Sequence, residues 1–345
     1  MALNCRVIIK ISVRPKFKSV RREEIALIVA GPTASGKSAL ALALAERLGG
    51  VVINADAMQL YRDLRILTAR PSDADCARAP HVLYGVLPAA PPANAAWWRG
   101  AALAALEEAR VSGRVPILCG GSGLYLQALI GGLAAIPPVP DAVREEVRAR
   151  LAAIGPAALH AELAASDPAT ATRLRPSDGQ RIARAMEVRL ATGRGLAAWQ
   201  AEPAAPPAGW RFASILLDPP RVALRAAIAR RFDAMLALGA LAEARALLAR
   251  GLDPALPLLR AHGVPELAAH LRGEITLGEA QRRAELVTGQ YTKRQATWFR
   301  HHRLSTRNYA INARIDDFTQ FSQRSMADLL NFLTSAGLTP QASPA

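Results

Sequence analysis

The octapeptide GPTASGKS combines small residues, a lysine and a hydroxyl at the GxxxxGK[ST] spacing of a phosphate-binding loop. Gly31, Pro32, Thr33, Ala34, Ser35 and Gly36 would form a loop whose amides close around phosphate oxygens at a helix N-terminus. Lys37 adds a point charge, and the Ser38 hydroxyl is the expected Mg²⁺ ligand. Which phosphate binds is left open, since an ATPase, a small-molecule kinase and an enzyme holding another substrate's diphosphate would all use such a loop. Asp56 follows an apolar run, VVIN, and could bind Mg²⁺ through water, act as a base, or cap the next turn. Gln59 could pair with a base edge, and Tyr61 could stack or pack in a core. GGSGLY, 120–125, offers the Ser122 hydroxyl and backbone donors, or else simply a tight turn.

These residues need a scaffold that brings them to one edge. IALIVA (25–30), VVIN (51–54), VPILC (115–119) and FASILL (212–217) read as buried strands, and helical periodicity follows several of them, as in Leu40, Leu44 and Leu48. Strands alternating with helices predict a parallel, doubly wound α/β sheet of the P-loop NTPase-like type, with Asp56 and GGSG beside the phosphate loop. Two proline-rich breaks, 134–140 and 201–209, bracket an Ala/Arg/Glu-rich segment without strand signal. The expected order is a basic extension over 1–24, core over 25–137, an all-helical insertion over 138–208, core with C-terminal helices over 209–310, and a helix with a disordered tail over 311–345.

With 345 residues and 51% apolar content, the chain can bury a real core. No apolar stretch approaches the roughly 20 residues of a membrane span. Forty-three Lys and Arg against 28 Asp and Glu leave a net charge of +15, which favours a polyanionic partner. Residues 1–24 carry seven basic and two acidic side chains, so most of the excess lies elsewhere. That basic start also fits a transit peptide, although VIIKISV is too short and too interrupted for a signal-peptide core. Three cysteines without a CxxC pair suit a reducing, cytoplasmic setting. The six histidines show no HxxxH or HExxH spacing, and no GxSxG suggests acyl transfer.

Two basic segments remain. RPSDGQRIARAMEV (175–188) sets Arg181 and Arg184 on one helical face, and QYTKRQATWFRHHR (290–303) gathers Gln290, Lys293, Arg294, Thr297 and Arg300 on another, with Trp298 and Phe299 turned elsewhere. Such faces are either solvated charge or contacts to RNA phosphates and unpaired bases.

Seven motifs in order, GPTASGKS, DAMQLY, TARP, GGSGLY, SDGQRIARAMEV, AHGVPEL and KRQATWFR, make residues 25–305 resemble the tRNA dimethylallyltransferases, the bacterial-type isopentenyl (IPP) transferase family. The resemblance implies transfer of a dimethylallyl group from dimethylallyl diphosphate to N6 of the adenosine at position 37, just 3′ of the anticodon. Asp56, Ser122 and Lys37 then fall on catalytic positions, with Asp56 as general base, and Gly31 to Ser38 on the pyrophosphate loop. Contacts to tRNA fall on Asp56, Ala57, Met58 and Gln59, on Ser122 and Arg144, and on Gln180, Arg181, Ile182, Ala183 and Arg184. Further contacts fall on Arg260, Ala261, His262, Gly263, Val264 and Pro265, and on Lys293, Arg294, Gln295, Ala296, Thr297, Trp298, Phe299 and Arg300. The implied cofactor is Mg²⁺, the partner is a tRNA anticodon stem-loop, and a cytoplasmic monomer is expected.

The chain departs from the family pattern at Ala57 (usually Ser), Arg70 (Lys), Ser122 (Thr), Ser177 (Asn) and Val264 with Pro265 (an aromatic and basic pair). Ser122 and Arg70 keep hydroxyl and charge. The rival readings are a P-loop small-molecule or nucleotide kinase, which would consume ATP, and a non-catalytic RNA-binding P-loop protein.

Overall fold

A computed structural model describes residues 23–202 and 206–339. The extension before residue 23, the centre of the second proline-rich break and the last six residues lie outside the described residues. Six strands, β1 Glu24–Ala30, β2 Gly50–Asn54, β3 His81–Val82, β4 Val115–Gly120, β5 Trp210–Leu217 and β6 Arg307–Ile311, form one sheet in the order β3-β2-β4-β1-β5-β6. Every pairing is parallel. β1 lies between β4 and β5, so Ala26 to Ala30 are wholly buried, as a parallel strand covered on both faces requires.

Helices cover both faces. α1 (Lys37–Leu48) buries Leu40, Leu44 and Leu48 on one side with Val29, Ile117 and Ile215. After the short α2 (Asp73–Arg78), α3 (Ala95–Val111) packs Trp98, Ala102 and Leu106 on the other side, with α4 (Gly123–Gly131) beside it. The first compact unit runs to Ile130 and resumes at Pro207.

The second unit is Gly131–Pro206 and is all-helical: α5 (Asp141–Ser166), α6 (Pro168–Ala171), α7 (Gly179–Thr192) and α8 (Leu196–Gln200). α5 bends at Gly155, whose φ of 78° is not helical. Val147, Leu159, Leu163, Ile182 and Met186 fill its core. Asp167 fastens its corner by accepting from the Thr170 and Leu196 amides.

In the first unit the chain continues through α9 (Arg221–Ala237), α10 (Ala240–Leu248), α11 (Val264–Leu271) and the 25-residue α12 (Leu277–His301), and ends on α13 (Gln323–Ser335) after β6. β3 and β6 carry no sequence signal of their own. β3 has two residues, and β6 is an edge strand in which only Ile311 is buried.

Candidate active site

β1, β4 and β2 are neighbours, so the loops that follow them meet at the C-terminal edge of the sheet. The loop after β1 is Gly31 to Gly36, and the first-turn amides of α1 have no intrahelical acceptor. Gly36 takes φ 91°, and a Cβ there would collide with the Ile315 carbonyl. Ala34 takes φ 65°, which costs an L-residue about 1 to 3 kcal/mol unless its surroundings impose it. They do so from the segment after β6: the Ile315 amide donates to Ser35 O at 3.1 Å, and Arg314 Nε donates to Ala34 O at 3.1 Å.

Lys37 is buried. Its ammonium pKa is pushed below the usual lysine range by burial, against the pull of Asp56 and Cys119, with Arg231 adding to the lowering. Among the described residues Nζ donates to the Pro32 carbonyl alone, at 3.4 Å. Arg231, from α9, is likewise lowered by burial, held up by Asp56 and opposed by Arg314, yet a guanidinium stays charged. Sequence reasoning missed Arg231. It sits three residues after Ile228 and four after Ala227, so it leaves the helix on the side of their buried face and is itself half-buried, and an arginine on an apolar stripe was the available signal.

Asp56 is placed by Asn54, which is fully buried. Its Nδ2 donates to Asp56 O (3.0 Å) and Leu83 O (2.9 Å), and its Oδ1 accepts the Asp56 amide at 2.8 Å. Asp56 Oδ1 accepts the Met58 amide at 3.0 Å, so the carboxylate does cap the following turn, and it still reaches Lys37 and Arg231 electrostatically. Ser122 Oγ accepts the Ala57 amide at 3.0 Å, and the Ser122 amide donates to Ala55 O at 3.2 Å. The two loops are thereby knitted together, and the Ser122 hydroxyl keeps its own proton to donate. Cys119, at the end of β4, is no nucleophile: burial pushes its thiol up to about 11.

Several sequence expectations need correction. Gln59 does not offer its amide nitrogen to a base, because Nε2 donates to Thr68 O and Ala69 O at 2.9 and 2.8 Å, holding the TARP turn. Tyr61, for which stacking and core packing were both open, packs in the core, its hydroxyl accepting the Ala93 amide. The side chains of Ile182, Ala183, Ala261, Val264 and Phe299 are buried among apolar neighbours, and Gln295 is buried with its amide bonded to Thr33 and Gly121. The neighbouring TARP loop is braced by a residue the sequence did not suggest. Glu243 on α10 accepts the amides of Arg65, Ile66 and Leu67 at 2.6 to 3.1 Å.

The remaining expected contacts divide by charge pairing. Arg144, Arg181 and Arg184 in the helical unit each pair with an acid of their own segment, Asp141, Asp178 and Glu187. In the first unit Met58 and Ala57 are half-buried, and Arg260 and Pro265 are exposed. His262 lies against Tyr291 with ring centroids 4.9 Å apart, and burial lowers its pKa, which keeps it neutral at neutral pH. Lys293, Arg294, Thr297 and Arg300 are exposed on α12, with Ala296 and Trp298 half-buried between them. On the first half of α12, Glu279 neutralises Arg282 and Arg283; the described residues show no ion pair for Lys293, Arg294 or Arg300.

The arrangement is therefore a phosphate loop with a buried Lys37 and a half-buried Arg231, at one sheet edge with a carboxylate whose turn is fastened to a second glycine loop. The family model described as IPP transferase matches residues 59–302, and a second, isopentenyl transferase, matches residues 23–82. The chain belongs to the IPP transferase family. It is 60% identical over 314 residues to the tRNA dimethylallyltransferase of Granulibacter bethesdensis, covering 90% of this chain and 98% of that one. It is 63% identical over 310 residues to that of Acidiphilium cryptum, covering 89% and 94%. Among solved structures, the tRNA isopentenylpyrophosphate transferase of Bacillus halodurans matches this IPP transferase with a TM-score of 0.64 at 30% identity, covering 91% and 97%. A eukaryotic dimethylallyltransferase acting on tRNA shares the fold, with a TM-score of 0.73 at 22% identity over 93% and 81% of the two chains.

Proposed function

We infer that this IPP transferase moves the dimethylallyl group of dimethylallyl diphosphate to N6 of the adenosine at position 37 of a tRNA, 3′ of the anticodon. The observation that carries this reading is the phosphate loop with its buried Lys37, set at the same sheet edge as the Asp56 turn that Ser122 fastens to the second glycine loop. N6 of adenine is a weak nucleophile, so the barrier lies in breaking the allylic C1–O bond and stabilising the pyrophosphate that departs. Buried Lys37, half-buried Arg231 and the α1 amides are preorganised for that charge, and in a site of lowered dielectric they act more strongly than in water. As the N6–C1 bond forms, the N6 proton passes to the free oxygen of Asp56, and pyrophosphate leaves with the electron pair of the C1–O bond. Ser122 is a positioning residue in this scheme: through the Ala57 amide it fixes the turn that carries the carboxylate.

A divalent cation fits the residues present. Ser38 is exposed at the first turn of α1, and among the described residues no cluster of three His, Cys, Asp or Glu side chains offers a rival site. Mg²⁺ keeps several waters and shares substrate phosphates, so one hydroxyl suffices, and when bound it would neutralise diphosphate charge.

The unpaired cations of α12 are assigned to RNA phosphates. Lys293→Ala is expected to weaken tRNA binding a few-fold and to lower the slope of log Kd against log salt by about one. A titration of labelled tRNA at several salt concentrations checks this, and an unchanged slope would return Lys293 to plain solvation. For the function itself, the protein is incubated with Mg²⁺, dimethylallyl diphosphate and an unmodified tRNA carrying adenosine 3′ of its anticodon, and the digested nucleosides are weighed by mass spectrometry. N6-dimethylallyladenosine is expected. Absence of that nucleoside, with phosphate transfer from ATP in a parallel arm, would give the kinase reading instead.

A further inference from the structure

Gln295 lies among the exposed cations of α12 but is 5% exposed. Its Oε1 accepts the Thr33 amide at 2.8 Å, and its Nε2 donates to the Gly121 carbonyl at 3.0 Å. One side chain thus bridges the loop that holds the phosphates and the loop that carries Ser122, across 262 and 174 residues of sequence. The approach is close: a Cβ on Gly121 would collide with the Gln295 amide, and a Cβ on Gly123 would collide with the Trp298 ring three residues further along α12. The Ser122 loop is therefore glycine at both positions where α12 presses on it.

We propose that Gln295 is a positioning residue for prenyl transfer, clamping the diphosphate loop to the Ser122 loop so that donor and acceptor sites keep a fixed separation. The chemistry of the bridge is specific. It needs one acceptor and one donor at the end of the same side chain; a leucine or methionine supplies neither, and a carboxylate cannot donate to Gly121. Using the Thr33 amide for this bridge removes it from the diphosphate and fixes the loop from behind, leaving the α1 amides to face the ligand. The Ser122 loop in turn holds the Asp56 turn through Ala57, so a shift in the bridge would move the base relative to the departing group. Misplacement by about 1 Å can cost on the order of 100-fold in rate.

The inference rests on the transfer reaction proposed above, and the wild-type assay separates the two: no product from wild type overturns the reaction, whereas an active wild type tests the clamp. Gln295→Met keeps the volume and removes both hydrogen bonds. Expected are a roughly 30- to 100-fold fall in kcat and weaker binding of inorganic pyrophosphate, with tRNA Kd within about 2-fold of wild type. Gly121→Ala pushes the same bridge from its other side and should give the same kinetic signature in a folded protein. The double variant should be no worse than the poorer single one, because both break one coupling. The clamp is overturned if Gln295→Met leaves kcat within about 3-fold of wild type, or if the loss appears in tRNA affinity while kcat is unchanged, which would make Gln295 an RNA contact. It is overturned too if the effects of the two variants simply multiply.

Discussion

Asp56→Ala should lower single-turnover prenylation by roughly 10³-fold or more while tRNA affinity stays within a few-fold of wild type. In the proposed mechanism position 56 does two jobs. One oxygen caps the turn through the Met58 amide, and the other, without a hydrogen bond among the described residues, would take the substrate proton. Alanine removes both, so its effect alone would confuse a loosened turn with a lost base. Asp56→Asn separates them, since an asparagine Oδ1 can still accept from Met58 but the side chain cannot take a proton at neutral pH. If proton transfer is the larger contribution, asparagine falls nearly as far as alanine. Turnover by Asp56→Asn within about ten-fold of wild type would instead leave Asp56 as a turn residue and move the base elsewhere. Saturating tRNA and dimethylallyl diphosphate in a quenched-flow assay read the chemical step directly.

What the sequence made legible follows from how local each signal is. The phosphate loop, Asp56 and GGSG are short motifs at the ends of buried strands, and in a parallel sheet the ends of neighbouring strands converge by topology alone. The four strands expected from apolar runs are β1, β2, β4 and β5, the inner members of the sheet; β3 and β6 are short or at its edges and lack the continuous apolar run that buried strands carry. The all-helical segment was legible for the converse reason, an amphipathic stretch without β-branched runs between two proline breaks.

The illegible parts are contacts set by tertiary register. A charged helix face does not announce that one of its polar residues turns inward, yet Gln295 is flanked by exposed Arg294 and half-buried Ala296 and bonds to two loops. Glu243 reads as a solvated acid of α10 until its carboxylate is seen gathering three amides of the 65–67 turn. The segment after β6 has no motif at all, although Arg314 and Ile315 hold the strained Ala34 and cover Gly36. In each case the deciding partner is a backbone group, and backbone groups are the same in every sequence. The departures at Arg70 and Ser122 differ in kind. Ser122 keeps the oxygen that the Ala57 amide needs, so serine in place of threonine preserves the bond; Arg70 lies against Gly85 with its Nε buried and without a partner among the described residues.

Lys37→Met should act on stability and activity in opposite directions. In the folded protein, burial holds the Lys37 pKa below its unfolded value. The folded state therefore pays for the charge at neutral pH, and that penalty fades only as pH rises through the lowered pKa towards the ordinary lysine value. Replacing the ammonium with an apolar side chain of similar length removes the penalty, so the ligand-free variant is expected to melt at or above the wild-type temperature at pH 7. A diphosphate reverses the balance, because its oxygens supply the counter-charge that Pro32 O and Asp56 give only in part. Inorganic pyrophosphate should accordingly raise the wild-type melting temperature and leave that of Lys37→Met nearly unmoved. Prenyl transfer by the variant should fall about 10²- to 10³-fold, the cost of removing one preorganised group from a developing anion. Calorimetry at pH 7 and again near pH 10 checks the sign: the stability gap between variant and wild type should narrow at the higher pH. A gap that widens would mean that burial does not hold the Lys37 pKa down, and a pyrophosphate shift retained by Lys37→Met would mean that Arg231 and the α1 amides hold the leaving group without it.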